Sequence, residues 1–199
     1  MYDAFAALIF DMDGTLVDSG QLHEKAWLET LSRFAIPIDR PLMRSLAGVP
    51  TLGTVEILLE RFQVITTTPA LEIHHFKENF VRKHMLDYVK PTALLDIVRI
   101  YHGRKPMAVG TGAQTPEALE ILALCGLDAY ITVVVGADQV ANPKPAPDTF
   151  LRCAELLGVE PARCVVFEDA RLGMEAATRA GMAVVDVQTD LKILNDYFL

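Results

Sequence analysis

The sequence predicts an α/β protein in which a parallel sheet covered by helices is interrupted by an all-helical segment. From residue 90 onward, short apolar runs alternate with segments of helical periodicity. Continuous apolar strands separated by helices are typical of a parallel sheet that is buried on both faces. A further apolar run at residues 6–10 predicts a first buried strand, and the chain between it and residue 90 shows mostly helical periodicity.

The expected elements follow one another in a regular order. After the strand at 6–10, helical periodicity runs from about residue 22 to residue 88, with proline- and glycine-containing breaks. The later elements, in chain order, are helix 93–101, strand 107–109, helix 116–125, strand 130–135, helix 147–157, strand 164–167, helix 171–180 and strand 183–187. We therefore expect a catalytic core formed by residues 1–17 and 90–199, with residues 18–89 inserted as a helical cap.

Composition and charge exclude several classes of protein. A net charge of -8 without any basic run argues against a nucleic acid as partner, because such binding depends on clustered Lys and Arg. The three cysteines include no C-x-x-C pair, so neither a disulfide framework nor a zinc site is expected, and a reducing cytoplasm fits best. The apolar run near the start is too short for a membrane span, and we expect no membrane partner.

Polar residues follow the expected strands at the points where these end. Asp11 and Asp13 follow the first strand, and the later strand ends deliver Thr111, then Asp138 and Lys144, then Glu168 and Asp169. In open parallel sheets, ligands bind beyond the carboxyl ends of the strands. The sequence therefore predicts a polar site at this edge of the sheet.

The segment Asp11-Met12-Asp13-Gly14-Thr15 carries the strongest chemical signal. Side chains two residues apart in an extended segment point the same way, so both carboxylates can face one pocket. Two adjacent carboxylates repel unless a cation lies between them, and oxygen ligands of this kind suit Mg²⁺. Gly14 lets backbone amides approach a phosphate closely. The alternative is an acidic turn that caps the following helix.

This D-x-D-G-T loop on a buried first strand resembles the nucleophile motif of the haloacid dehalogenase superfamily of phosphotransferases. The resemblance implies a Rossmann-type parallel sheet with an inserted helical-bundle cap. It also implies that Asp11 is the nucleophile, that Asp13 is the general acid and base, and that both carboxylates and Gly14 bind the phosphoryl group. An acid-base residue at Asp13 disfavours a dehalogenase, which has no use for it.

Three further segments are similar to the later motifs of the same superfamily. Thr111, with Gly112, resembles the residue that holds a phosphoryl oxygen, and the alternative is a plain helix cap ahead of Pro116. Lys144, in Lys-Pro-x-Pro, resembles the lysine that neutralises nucleophile and phosphate, whereas a lone lysine is usually a solvated surface charge. Glu168 and Asp169 resemble the acidic pair of the metal site. The implied Mg²⁺ ligands are Asp11, the Asp13 carbonyl, Asp169 and Glu168, the last directly or through water.

The expected cap resembles that of the β-phosphoglucomutase-like branch. Asp18, His23, Ala26 and Trp27 match its D-x(4)-H-x-x-A-W stretch, which makes His23 a candidate substrate-site residue, with a structural histidine as the alternative. Trp27 is interpreted as core packing. The adjacent pair at 74–75 points in two directions on a helix, so we interpret both histidines as surface residues.

The function that these resemblances imply is Mg²⁺-dependent hydrolysis of small sugar phosphates through an aspartyl-phosphate. Residues 48–51 resemble the cap segment of fructose-1-phosphate phosphatases in this branch. The alternatives are a sugar phosphomutase and, from another class, a phospho-acceptor receiver domain, which lacks a helical insert after its first strand. The mutases carry Lys and Arg where this chain has Ala47 and Thr51, which favours a hydrolase. A small phosphorylated sugar is the expected partner, and a monomer is the expected state.

Overall fold

The computed structural model of the protein describes residues 2–199, and its centre is a five-stranded parallel sheet. The strands are β1 (Ala7–Phe10), β2 (Val17–Asp18), β3 (Lys90–Pro91), β4 (Met107–Gly110), β5 (Val133–Val135), β6 (Cys164–Glu168) and β7 (Ala183–Asp186). The sheet has the order β5-β4-β1-β6-β7, and β2 and β3 form a separate antiparallel pair. The predicted α/β class with a parallel sheet is confirmed.

The helices surround this sheet and fill the segment between β2 and β3. They are α1 (Gly20–Arg33), α2 (Arg40–Ser45), α3 (Thr51–Arg61), α4 (Ala70–Tyr88), α5 (Leu94–Tyr101), α6 (Thr115–Leu124), α7 (Asp148–Leu157), α8 (Arg171–Arg179) and α9 (Val187–Asp190). None of the helices in residues 2–199 combines the length and the apolar character needed to cross a membrane.

Most expected elements are present with small shifts at their ends, and the differences have local causes. The expected strand at 130–135 is only Val133–Val135, because the amides of Tyr130 and Ile131 donate to the Leu127 carbonyl in a turn instead of joining the sheet. Helix α2 was not predicted. It is too short to show a period, and Asp39 caps it by accepting from the Leu42 amide at 2.9 Å.

The side chains of β1 alternate between the two faces of the sheet and belong to two different apolar clusters. Leu8 and Phe10 pack in the cluster that also receives the helices α5 and α6, whereas Ala7 and Ile9 pack in the cluster beneath α7 and α8. Strand β1 lies between β4 and β6, so the strand order changes direction beside it. Such a switch point opens a crevice at the carboxyl ends of the strands.

The chain leaves the core before helix α1 and returns to it after helix α4, and the two crossings lie side by side. Strands β2 and β3 pair there, and Lys90 Nζ lies 3.2 Å from Asp18 Oδ2. Helix α4 packs on α1 and α3, and these helices have an apolar cluster of their own around Trp27 and Leu58. Tyr197, from the end of the chain, also packs in this cluster. The division into a core and a cap at residues 18–89 stays a prediction.

Candidate active site

A cavity lies at the carboxyl ends of β1, β4 and β6, beneath the helices α1–α4. Its empty volume is about 860 Å³, solvent at its mouth included. The predicted site residues that line it are Asp11, Asp13, Gly14, His23, Thr111, Gly112, Glu168 and Asp169. Lys144 does not line the cavity, but its ammonium contacts Asp11 and Glu168, which do. The structure therefore brings all the predicted site residues together.

Asp11 is buried at the end of β1 and forms an ion pair with Lys144. The Lys144 ammonium donates to Asp11 Oδ1 at 2.6 Å and to Glu168 Oε2 at 2.8 Å, and all three side chains are buried. Burial, followed by the repulsion from Glu168, raises the pKa of Asp11, although Lys144 opposes both effects. The two carboxylates together raise the pKa of Lys144 against the effect of burial, so the ammonium stays charged. A single cation thus holds two carboxylates at the base of the cavity.

Asp169 completes a group of carboxylates. Oxygen atoms of Asp11, Glu168 and Asp169 lie within 4.8 Å of one another. Burial and then the neighbouring Glu168 raise the pKa of Asp169 to about 7. A hard divalent cation relieves such repulsion, and carboxylate oxygens are the ligands that Mg²⁺ prefers. The donor set therefore fits the predicted metal.

Glu168 is held rigidly by the backbone that follows it. Its Oε1 accepts from the amides of Asp169 at 3.2 Å and Ala170 at 3.0 Å, while Oε2 accepts from Lys144. Helix α8 approaches the carboxylate through Gly173, where any Cβ would collide with the Glu168 side chain. Both oxygens of Glu168 are thus hydrogen-bonded within the site, one of them to a cation, so this carboxylate is held in a fixed orientation beside Asp11 and Asp169.

Asp13 points away from the acidic group toward the helices above it. Its Oδ1 accepts from Ser19 Oγ at 2.6 Å and lies 3.1 Å from His23 Nε2. Burial would raise the pKa of Asp13, but His23 and the Ser19 hydroxyl lower it below its ordinary value. The Asp13 carboxylate is thus free of the metal-binding group, as the predicted acid-base role requires. His23, a candidate substrate-site residue from the sequence, lines the cavity and contacts Asp13.

Thr111 and Gly112 form the opposite wall of the cavity. Thr111 is buried, and its Oγ1 accepts from the Ala113 amide at 3.1 Å. A Cβ at Gly112 would lie 2.9 Å from the carbonyl oxygen of Gly48, so the loop before α3 and the loop after β4 touch here. Asp138, which also follows a strand, accepts from Thr115 N at 2.7 Å and caps α6 outside the cavity.

The sequence did not identify a group of ionisable residues on the far side of the cavity. His74, Lys77 and Glu78 of α4 and Glu117 of α6 line it. The prediction of two surface histidines is wrong for His74, which is half-buried, and holds for the exposed His75. A signal for Lys77 exists in the sequence, because it lies four residues from both Ile73 and Val81, in the middle of the apolar stripe of α4.

The end of the chain contributes a second group of unpredicted contacts. Asn195 is buried, and its Nδ2 donates to Asp169 Oδ2 at 2.6 Å, while Thr15 Oγ1 donates to Asp169 Oδ1 at 3.2 Å. Gly14 has φ +83°, and a side chain there would collide with the Asn195 amide. The loop of the first motif is therefore packed directly against residue 195.

Fold and site together define an α/β enzyme with a buried aspartate, a lysine and an acidic group at the carboxyl edge of its sheet. A family model of haloacid dehalogenase-like hydrolases matches residues 5–181. The chain belongs to this family, and the resemblance drawn from its four motifs is confirmed.

Individual relatives support the same assignment. Fructose-1-phosphate phosphatase YqaB of Escherichia coli is 47% identical over 94% of this chain and 99% of its own length. Beta-phosphoglucomutase of Bacillus subtilis is 30% identical over 91% of this chain and 82% of its own. Among solved structures, CbbY from Rhodobacter sphaeroides in complex with phosphate superposes with a TM-score of 0.79, at 26% identity, over 90% of this chain and 84% of that one.

Proposed function

We propose that the protein is a Mg²⁺-dependent phosphatase that hydrolyses small sugar phosphates, such as fructose 1-phosphate, through an aspartyl-phosphate on Asp11. The observation that carries this proposal is the placement of Asp11. It lies at the base of a cavity, between Lys144 and the carboxylates on one side and the acid-base candidate Asp13 on the other. The name of the E. coli relative supports the substrate class.

In the proposed reaction, an Asp11 carboxylate oxygen attacks phosphorus and the bond from phosphorus to the sugar oxygen breaks. Asp13 gives a proton to the departing oxygen. Asp13 then accepts a proton from water, whose oxygen attacks the acyl phosphate, and orthophosphate and free Asp11 result. The lowered pKa of Asp13 favours the second role, and the first requires its carboxyl to carry a proton when the substrate is bound.

The remaining residues bind and orient the phosphoryl group. We assign this role to the Thr111 hydroxyl, the loops at Gly14 and Gly112, and the Lys144 ammonium, because phosphoryl transfer depends mainly on positioning and charge stabilisation. Asp11, Asp169 and the Asp13 carbonyl would hold Mg²⁺, with Glu168 directly or through water. The cation, when bound, neutralises charge on the phosphoryl oxygens.

We further propose that residues 18–89 act as a cap that closes over the leaving group. His23 would then bind near the departing oxygen, since it contacts Asp13 from α1. A monomer in the cytoplasm stays our expectation.

The experiment that tests the proposed function is an orthophosphate assay of the purified protein with fructose 1-phosphate. We expect release of orthophosphate with Mg²⁺, complete loss in excess chelator, and recovery when Mg²⁺ is restored. Ca²⁺ should replace Mg²⁺ poorly because it is larger and accepts less regular geometry. Full activity in excess chelator would contradict the metal assignment, and no orthophosphate from any sugar phosphate would contradict the function.

A further inference from the structure

Two carboxyl groups face each other across the boundary between the inserted helices and the core. Glu78 lies on α4, and Glu117 lies in the first turn of α6. Both line the cavity that contains Asp11, and the two carboxyl groups lie close enough for a protonated Glu117 to donate to Glu78. Other residues of the inserted helices also hold Glu78 in place: its Oε1 accepts from Thr51 Oγ1 at 2.6 Å and from Lys77 Nζ at 3.2 Å.

One oxygen of this pair has unused hydrogen-bonding capacity. Glu117 is only 7% exposed, yet its Oε1 has no hydrogen-bond partner among residues 2–199. The Nδ1 atom of His74, which lines the same cavity, is buried and has none within that range either. A buried polar atom without a partner costs free energy, so such atoms in a cavity wall indicate a ligand that supplies the missing hydrogen bonds.

The charges on this side of the cavity oppose the binding of a second anion. Lys77 is 3% exposed and, in the part of the chain that the structure describes, is the one ammonium lining the cavity, and it is already paired with Glu78. Thr51, at the position where the mutases have an arginine, donates to the same carboxylate. A second phosphate would therefore meet a neutralised lysine and two carboxyl groups.

We propose that Glu117 and Glu78 form a specificity site that binds hydroxyl groups of the sugar and excludes substrates with a second anionic group at that end. This inference rests on the proposed function, since the sugar is the leaving group of that reaction. Burial, followed by the hydrogen bond with Glu78, raises the pKa of Glu117 to about 9. Near neutral pH the Glu117 carboxyl thus holds a proton, which it donates to Glu78, and its Oε1 remains able to accept from a hydroxyl.

The first test compares a substrate that has hydroxyl groups with one that has none. The ratio of kcat/KM for fructose 1-phosphate to kcat/KM for acetyl phosphate is measured for the wild type, Glu117→Leu, Glu117→Gln and Glu120→Gln. We expect the ratio to fall about tenfold in Glu117→Leu, which corresponds to one lost hydrogen bond, and clearly less in Glu117→Gln, whose amide still donates and accepts. Glu120, exposed on the same helix, is the matched control and should leave the ratio unchanged.

The second test concerns the excluded anion. In Glu78→Gln the Lys77 ammonium loses its carboxylate partner and becomes available to a phosphate. The preference for fructose 1-phosphate over fructose 1,6-bisphosphate, measured as the ratio of kcat/KM values, should therefore fall about fivefold or more. The Glu120→Gln variant should keep the preference of the wild type.

The outcomes separate this inference from the proposed function. Suppose that the wild type hydrolyses both acetyl phosphate and fructose 1-phosphate but that Glu117→Leu keeps the wild-type ratio of kcat/KM values. The proposed specificity site is then overturned, whereas the proposed phosphatase function is retained. An unchanged bisphosphate preference in Glu78→Gln would overturn the exclusion of anions. If the wild type hydrolyses none of these phosphates, the proposed function falls and the inference falls with it. Residual hydrolysis of acetyl phosphate by each variant shows that it is folded.

Discussion

The site holds an unusual concentration of buried charge around a single lysine. Lys144 is 3% exposed and is surrounded by Asp11, Glu168 and Asp169. Removal of an ion from water costs several kcal/mol even after the protein relaxes, so such a cluster does not stabilise the fold. The raised pKa values of Asp11 and Asp169 have the same origin. The presence of these buried charged residues is therefore explained by the reaction that they can perform and not by a contribution to stability.

Replacement of the proposed nucleophile separates catalysis from folding. Asp11→Asn should reduce phosphatase activity by several powers of ten, because an amide cannot form the acyl phosphate and each tenfold loss adds about 1.4 kcal/mol to the barrier. The melting temperature should be equal to or above that of the wild type, because the change removes one member of a repelling carboxylate group while Lys144 keeps Glu168.

The measurement is orthophosphate release together with thermal unfolding. Asp128→Asn, on an exposed residue, is the matched control and should keep full activity. Substantial turnover by a folded Asp11→Asn protein would show that another residue is the nucleophile.

The raised pKa of the buried Glu117 carboxyl predicts how the stability of the protein depends on pH. The ordinary pKa of a glutamate is 4.5, whereas that of Glu117 in the folded protein is about 9, so the native state binds the proton more tightly. The stabilising contribution of this group is complete below pH 4.5 and is lost as the pH rises toward 9, at about 1.4 kcal/mol per unit at most. The ionisable groups that affect it are Glu78, Lys77 and Asp13.

Glu117→Gln, which carries no titrating proton, should therefore be more stable than the wild type at pH 8 by roughly 1–3 kcal/mol, and the difference should shrink at pH 5. Urea unfolding at both pH values measures it, with Glu120→Gln as the exposed control. A difference between Glu117→Gln and the wild type that does not grow with pH would contradict the raised pKa.

The final segment of the described chain, residues 192–199, connects the inserted helices with the acidic group. Arg44 of α2 donates to the carbonyl oxygens of Asn195 at 2.9 Å and Tyr197 at 2.6 Å. Tyr197 and Phe198 pack in the apolar cluster of the helices α1–α4, and Asn195 reaches Asp169. The segment thus joins the two parts of the molecule at a proposed metal ligand.

Loss of the Asn195 amide should weaken the binding of the metal. Partners that orient a metal ligand from outside typically change metal affinity by about 10- to 100-fold when they are removed. We expect Asn195→Ala to raise the Mg²⁺ concentration for half-maximal activity by about tenfold. Arg44→Ala should raise this concentration less, because the loss of Arg44 loosens the final segment but leaves the Asn195 amide present.

The measurement is activity as a function of Mg²⁺ concentration, with Asn79→Ala, exposed on α4, as control. The hydrogen bond would have no role in orienting Asp169 if Asn195→Ala had the Mg²⁺ dependence of the wild type.

The whole molecule is acidic, so the positive charge that an anionic substrate needs is placed locally. The net charge is -8, and the buried lysines at the site are Lys144 beside Asp11 and Lys77 beside Glu78. Lys144 contacts the proposed nucleophile directly, whereas Lys77 is paired with Glu78 on the far side of the cavity. The molecule is therefore suited to one phosphate group, which bears on the choice between a hydrolase and a mutase.

The protein should behave as a hydrolase toward β-glucose 1-phosphate even when a priming amount of the 1,6-bisphosphate is present. A mutase must retain the bisphosphate intermediate, but Ala47 and the carboxylate-bound Thr51 provide no cation for its distal phosphate. A charge-assisted hydrogen bond, which would be missing here, is about twice as strong as a neutral one.

We expect ³¹P NMR to show one orthophosphate for each sugar phosphate consumed. Glucose 6-phosphate that accumulates without matching orthophosphate would identify a mutase instead.

The amino-acid sequence alone identified the parallel α/β class, the family and the residues at the strand ends. These inferences succeeded because apolar strands and their following polar residues are local features. A parallel sheet then brings Asp11, Thr111 and Glu168 to one edge whatever the details of packing. The short elements α2, β2 and β3 were missed, since a few residues show no periodicity.

Packing in three dimensions decided the features that join distant parts of the chain. The contact of Asn195 with Asp169, and that of Glu78 with Glu117, depend on how α4, α6 and the final segment lie against one another. The sequence alone could not predict charge states either, because the pKa of Glu117 depends on its burial and on the neighbouring Glu78. A residue's neighbours along the chain do not reveal the neighbours that folding provides.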